Sequence, residues 1–368
     1  MAAPPTHFTL NGQRIALAAL AAPAYVAPAA APAYDAQVLA VVRAWLTGAA
    51  TFPLRTSGST GPPQEIDLTR AQLTASAARS VAALGLTPGD ATLVCLSVGT
   101  AGGLLGVVRA LEAGLPLTVI APTSDPLAAV GANSVFATVS LVPLQLGAVL
   151  AHGATGVAWL NRMKAVLVGG AAVPAALEAA LQTVAAPVYH TYAMTETASH
   201  VALRRLNGPN QTSYFTALPG IELRLGPADA LEVRADVTHH RWLATTDRAE
   251  LLGAGRFRWL GRLDDVINSG GVKVDAARVQ RELEAVVSAR ALPHEVAVVG
   301  VADPHLGERV VAVLAGGPLP PAVLADLRTA LAARLGRYER PKTWLVRPAL
   351  PRLPGGKTDR QTLRREVD

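Results

Sequence analysis

Short apolar runs and segments of helical spacing alternate along the first part of the chain. Asp35 to Gly48 (DAQVLAVVRAWLTG) has helical periodicity and ends on glycine. Leu68 to Leu86 reads as a second helix, capped by Thr69, with Leu73, Ala77, Val81 and Leu84 on one face. ATLVCLSVG predicts a strand, TAGGLLGVVRALEAG a helix and LTVIAP another strand; KAVLVGG and APVYHTYAM are apolar runs separated by the helical AVPAALEAALQTV. Strands alternating with helices predict parallel βαβ units and an α/β lobe.

Beyond about Ala217 the period changes to two. GIELRLG, ALEVRAD, RWLATTD and GRFRWLG predict short strands of a β-rich subdomain. A second break follows GRLDDVINSGG, and Val272 to Asp368 reads as a small α+β domain. The expected division is therefore a lobe over residues 1–263 and a smaller domain over 264–368.

Composition narrows the class. At 368 residues the chain exceeds one typical domain, and with 51% hydrophobic and 16% charged residues it is a packed globular protein. The net charge of +6 comes from scattered arginines without a basic block, which argues against nucleic-acid binding and for small polyanionic ligands. Cys95 is the sole cysteine and reads as a buried strand thiol, so no disulfide or cysteine-based metal site forms within the chain. The eight histidines show no ligand spacing such as H-x-x-x-H, and there is no G-x-S-x-G elbow. The apolar run Ile15 to Ala22 lacks the basic start of a signal peptide, and no run approaches the ~20 apolar residues of a membrane span. A soluble cytoplasmic protein is expected.

The chemistry starts at Arg55 to Ile66, RTSGSTGPPQEI. Hydroxyls and glycine amides in this density can wrap an anion; a polar linker is the lesser reading of the stretch alone, and the Walker A spacing is absent. Four further segments follow it in order: TYAMTET at Thr191 to Thr197, TTD at Thr245 to Asp247, GRLDDVINSGG at Gly261 to Gly271 and GGKTDR at Gly355 to Arg360. With this ordered set the chain resembles the adenylate-forming acyl-CoA synthetases from roughly Trp45 to its end. The resemblance implies activation of a carboxylic acid by ATP, with pyrophosphate release, and transfer of the acyl group to coenzyme A. Such a reaction joins two anions, so donors and cations are needed in place of a covalent nucleophile.

By that resemblance Thr56, Ser57, Gly58, Ser59, Thr60 and Gly61 hold the outer phosphates of ATP, Tyr192 stacks on adenine, Thr195 contacts the α-phosphate and Glu196 binds Mg2+. Asp247 receives the ribose hydroxyls, with Arg262 nearby. Asp264 is the hinge about which the small domain pivots, and Gly270 and Gly271 pass close to the pantetheine arm. Lys357 swings in to bind the carboxylate and α-phosphate oxygens. Two positions depart from the family pattern: Gln64 stands where the phosphate loop commonly has lysine, and Ala193 where glycine is usual.

The motifs begin early, so the N-terminal region is expected to be reduced relative to the superfamily. AWLTGAATFPLRTSGSTG, LVCLS, TYAMTETASHVALRRLN and YFTALPGIELRL together look like the short bacterial o-succinylbenzoate:CoA ligases of menaquinone synthesis. That resemblance implies an aromatic dicarboxylate substrate, whose second carboxylate needs a cation inside an apolar pocket. Arg109, with Ser199 and His200 at the acyl end, is the candidate; Arg109 reads equally as a helix-surface arginine. Where the family often carries G-K-M-M this chain has Gly102, Gly103, Leu104 and Leu105. Two other readings stay open, a ligase for another aryl or fatty acid and a degenerate, non-catalytic adenylate-binding protein.

A neutral amide forms bonds about half as strong as a charge-assisted one. Gln64→Lys is therefore expected to lower KM for ATP or raise turnover in steady-state kinetics, and unchanged constants would show that the missing lysine is immaterial.

Overall fold

Thr69 caps the helix Arg70–Leu84, as its spacing predicts. In the computed structural model, which describes residues 5–26, 31–55, 65–352 and 358–367, Thr69 Oγ1 accepts from the Gln72 amide at 3.3 Å. Gln72 Oε1 in return accepts from the Thr69 amide at 2.9 Å, closing a reciprocal cap on the helix Arg70–Leu84. Gly85, at φ 60°, ends it in the left-handed conformation.

Among the described residues the lobe preceding Val266 holds fifteen strands. In chain order they are β1 (His7–Leu10), β2 (Gln13–Ala16), β3 (Thr51–Arg55), β4 (Glu65–Thr69) and β5 (Thr92–Val94). There follow β6 (Leu117–Val119), β7 (Thr138–Leu141), β8 (Ala165–Val168), β9 (Val188–Met194) and β10 (Ser199–Arg205). The last five are β11 (Phe215–Ala217), β12 (Glu222–Leu225), β13 (Ala230–Arg234), β14 (Leu243–Gly253) and β15 (Arg256–Arg262).

Thirteen of these form one sheet in the order β12-β13-β14-β15-β11-β10-β9-β8-β7-β5-β6-β1-β2. From β9 through β8, β7, β5 and β6 to β1 every pairing is parallel, as the alternation of strands and helices requires. From β9 outward through β12 the pairings are antiparallel. The β-rich region therefore continues the large sheet, because the tight turn after β9 returns the chain beside itself and leaves β10 an open edge for β11 to extend. β3 and β4 form a separate hairpin, with Arg55 opposite Glu65.

The smaller sheet begins immediately after β15. β16 (Val266–Ser269), β17 (Val272–Asp275), β18 (Glu295–Asp303), β19 (Gly307–Ala315) and β20 (Thr343–Arg347) pair in the order β17-β16-β19-β18, with β20 parallel to β19. The helices Ala276–Ser288 and Pro321–Ala332 cover one face, and the helix Arg360–Val367 packs by Leu363 on the other. A single 3-10 turn, Leu263–Asp265, joins the two sheets.

Three apolar clusters fill the lobe. One contains Trp45, Phe52, Leu54, Tyr192, Phe215 and Phe257, and so packs the β3-β4 hairpin against the antiparallel half of the sheet. Cys95 is buried one residue beyond β5, as a small apolar side chain. Among the described residues no helix is long and apolar enough to cross a membrane.

The helix Ala101–Glu112 approaches the loop that precedes it so closely that a Cβ on Gly103 would lie 2.1 Å from the Ser97 carbonyl oxygen. Gly103→Ala is expected to cost about 1–3 kcal/mol in urea-unfolding free energy by overpacking against backbone. Gly147→Ala, in the helix Pro143–Ala151 with nothing within 4 Å of the added carbon, should instead gain up to about 1 kcal/mol.

Candidate functional site

The TYAMTET segment runs out of β9 into a tight turn and back as β10. Thr197 braces that turn: its hydroxyl donates to the Ser199 carbonyl at 2.7 Å and accepts from the Met194 amide at 3.2 Å. Ala198 and Ser199 adopt φ of 49° and 86°, sparsely populated by residues other than glycine. The turn is thus held in one strained shape, with Thr195 half-buried and Glu196 exposed.

Tyr192 points the other way, into the sheet junction. It is 7% exposed, with its ring edge-on to Phe215 and Phe257 at centroid distances of 5.9 and 5.2 Å. Its hydroxyl donates to Asp247 Oδ2 at 2.7 Å, and Trp259 Nε1 donates to Asp247 Oδ1 at 3.0 Å. The Asp247 amide donates to Thr245 Oγ1 at 3.0 Å, which fixes the TTD segment of β14. Burial, followed by the neighbouring Asp247 charge, pushes the Tyr192 phenol well above its ordinary range, so it acts as a donor throughout the physiological range. Arg262 is the cross-strand partner of Asp247. Each carboxylate oxygen of Asp247 has a lone pair left beyond the Tyr192 and Trp259 bonds, sufficient for further donors.

A second polar group lies beneath the same turn. Arg109 is only 1% exposed, so it is no surface arginine; its Nη1 donates to Ser80 Oγ at 3.0 Å and its Nε has no partner. His200 is 3% exposed and its Nε2 is likewise unpartnered. Arg79 Nε donates to the Pro219 carbonyl at 3.1 Å and its Nη2 pairs with Asp236, while its Nη1 has no partner. Burial lowers the Arg109 guanidinium from 12.5 to about 10, which leaves it charged at neutral pH. Burial, then the charges of Arg109 and Arg79, drive His200 from 6.5 down to about 3, so it is neutral. Ser199 is buried beside it, and Ser76 Oγ donates to the Ala198 carbonyl at 2.7 Å.

The structure therefore brings Tyr192, Asp247 and Arg262 together, and sets His200 near Arg109 and Arg79, with Ser199 buried next to His200 along β10. Among the described residues no group of three His, Cys, Asp or Glu side chains converges to hold a metal, which leaves Glu196 as a lone carboxylate. The phosphate-loop residues Thr56, Ser57, Gly58, Ser59, Thr60 and Gly61, with Gln64 and Lys357, lie outside the described residues, as does the side chain of Asp264. The residues flanking Lys357 are held by a bridge between Arg352 and Thr358. Gly270 and Gly271 both take positive φ, and a Cβ on Gly270 would lie 2.9 Å from the Tyr338 ring.

The motifs did not mark Trp259, Arg79, Asp236, Ser76 and Ser80. Only a buried polar stripe on the helix Arg70–Leu84, at positions 72, 76, 79 and 80, distinguishes most of them, and it is mixed with ordinary apolar spacing.

Comparison with known proteins adds independent findings. Residues 47–237 match the AMP-binding enzyme family, and residues 282–357 match the AMP-binding enzyme C-terminal domain. The chain is 31% identical over 326 residues to a 2-succinylbenzoate–CoA ligase of Salmonella typhimurium strain LT2, covering 85% of this chain and 68% of that one. It is 30% identical to a feruloyl-CoA synthase from an Amycolatopsis species, over 84% of this chain and 68% of that one. Among solved structures, an acyl-CoA synthetase (AMP-forming)/AMP-acid ligase II-like protein from Dyadobacter fermentans superimposes with a TM-score of 0.61 at 37% identity, covering 94% of this chain and 97% of that one.

A buried neutral histidine makes stability depend on pH. The unfolded chain binds a proton near pH 6.5 that the folded His200 refuses until about 3, so stability is full above 6.5 and falls as pH drops through that window. His190, lowered to about 4 chiefly by burial, adds to the same loss. Urea unfolding between pH 7 and 4 should show a decline of up to about 1.4 kcal/mol per pH unit for each histidine, and His200→Gln should make it shallower.

Proposed function

The chain belongs to the AMP-binding enzyme family and is an AMP-forming acid–CoA ligase, and we propose that its acid is o-succinylbenzoate or a closely related aromatic dicarboxylate. The reaction has two halves. The acid's carboxylate attacks the α-phosphorus of ATP and expels pyrophosphate; the thiol of coenzyme A then attacks the acyl carbon and expels AMP. Both transition states accumulate negative charge, so the assigned residues position and neutralise.

In this reading Asp247 receives the ribose hydroxyls through lone pairs left free by Tyr192 and Trp259, and Arg262 lies beside it. Tyr192 stacks on adenine, its ring backed edge-on by Phe215 and Phe257. Thr195, on the braced turn, meets the α-phosphate. Glu196 supplies one carboxylate to a Mg2+ held mainly by substrate phosphates, the usual way that cation is bound. Residues 56–61 cradle the outer phosphates, Lys357 contacts the reacting oxygens, and the domain of residues 264–368 pivots at Asp264 between the halves. The acid assignment places the enzyme in menaquinone biosynthesis.

The observation that carries the choice of acid is the buried Arg109. Its Nε and His200 Nε2 are both unpartnered; Asp236 pairs with Arg79, and no carboxylate pairs with Arg109 among the described residues. An uncompensated buried cation supports a substrate that brings its own second carboxylate. A ligase for a monocarboxylic aryl acid is the second reading, favoured by the similarity to the feruloyl-CoA synthase.

A pyrophosphate-release assay over a panel of acids separates the two. The dicarboxylate should exceed ferulate and benzoate in kcat/KM by at least about tenfold, and Arg109→Met should reduce its kcat/KM by about 100-fold while altering the monoacids much less. Equal use of ferulate, or equal losses on all acids, would remove the dicarboxylate assignment. Release of no pyrophosphate with any acid would favour a non-catalytic adenylate-binding protein.

A further inference from the structure

The large sheet ends on an edge that none of the assigned roles uses. Among the described residues β12 has a neighbour, β13, on one side only. The Gly226 amide donates to the Ala230 carbonyl at 2.8 Å. Hydrogen-bonded and non-bonded pairs alternate along antiparallel strands, so Arg224 and Glu222 also turn their backbone groups toward β13, opposite Glu232 and Arg234. Leu223 and Leu225 turn theirs outward. Such a row of outward N–H and C=O groups is a template for one more strand.

The side chains of β12 select that strand. Glu222 pairs with Arg234, and Arg224 with Glu232 at 2.6 Å. The guanidiniums of Arg224 and Arg234 lie over the Trp242 indole, 4.3 and 4.8 Å from a ring centroid, which fixes these charges on one face. Two rows of opposite charges thus cross the sheet and reach its edge, one ending on Glu222 and the other on Arg224. Charges of one sign there would repel another copy of the strand, as directly opposed like charges do. Opposite charges two residues apart instead match the same strand running antiparallel.

We propose that two copies of this chain join edge to edge through β12, antiparallel about a two-fold axis at Leu223. Glu222 of each copy then lies opposite Arg224 of the other, so both rows continue across the junction with alternating sign. The Leu223 amide and carbonyl of one copy bond those of the other, and the Leu225 amide bonds the Ile221 carbonyl. An axis at Glu222 or Arg224 would oppose like charges and would meet backbone groups already bonded to β13. Ile221, Leu223 and Leu251 line a groove of about 510 Å3 between β12 and the β14-β15 turn. Leu225 of the second copy, 38% exposed in the single chain, comes beside Ile221 and adds apolar contact there. An edge contact of this kind buries less than a permanent dimer does, so the association depends on concentration in the micromolar range. The pairing is independent of the ligase reading.

Sedimentation velocity between about 1 and 100 µM should show a weight-average mass rising from one chain toward two. Leu225→Pro removes an outward N–H that the β13 pairing does not use, and should weaken association at least about tenfold while circular dichroism shows the chain still folded. As a second check, Leu223→Cys should form a disulfide-linked dimer under mild oxidation, because that position meets itself at a Cα separation of about 5.5 Å. Leu225→Cys, set against Ile221, should not, and the native Cys95 is buried. A single-chain mass at every concentration would overturn the pairing and leave the edge to a strand from another protein. Association that Leu225→Pro leaves intact, or equal cross-linking at both positions, would overturn it as well.

Discussion

Asp247 imposes the tightest constraint on the lobe. An ionised carboxylate that is 8% exposed is tolerable only with donors on its oxygens, and the chain supplies them from Tyr192 on β9 and Trp259 on β15. In the sheet order β11 and β10 stand between those strands, so the two donors reach across the antiparallel half of the sheet. Phe215 and Phe257, stacked at 5.4 Å and 17°, fill the space they span. Without that packing the donors would not converge on the carboxylate. Arg262, opposite Asp247, is also the last residue before the chain leaves for the second sheet. One buried charge thus relates the TTD segment, the TYAMTET strand and the start of the interdomain turn.

Around Arg109 the balance is reversed, with cations in excess. The helix Arg70–Leu84 buries Gln72, Ser76, Arg79 and Ser80, and their bonds run to Val237, Ala198, Pro219 and Arg109. Such an interior is expensive, since each desolvated guanidinium lacks full compensation. Stability alone would favour apolar residues there. Perturbed titration at His200 and Arg109 together marks a place where the fold accepts a cost, as binding sites commonly do.

The smaller domain is built so that its own packing does not depend on the lobe. Its two apolar clusters draw only on residues from Ile267 onward. Contact with the lobe runs through the 3-10 turn Leu263–Asp265, a bond from Arg281 to the Leu260 carbonyl, the close approach of Gly261 to Asp275 and Ala277, and the helix Ala276–Ser288 against the helix Ala175–Ala180. Asp265 is held by Arg360 and lies 3.9 Å from Arg364, so the helix Arg360–Val367 is anchored to the connection itself. A body with its own core and one short connection can reorient without unfolding, which is the physical condition for the proposed pivot.

Local chemistry was legible in the residues alone. Thr69 as a cap, the βαβ alternation, the change of period near Ala217 and the buried thiol at Cys95 each depend on neighbours a few positions away, and the spacing carries them. The ordered motifs likewise singled out Tyr192 and Asp247 without revealing that they bond to each other. What the tertiary structure alone decided were partners: Trp259 for Asp247, Ser80 for Arg109, Asp236 for Arg79, and the joining of the β-rich strands to the parallel strands in one sheet. These pairs lie 12, 29 and 157 residues apart. Periodicity reports which face of an element is apolar, but which element covers a buried polar side chain follows from strand order and helix approach, and those are set only when the whole sheet has closed.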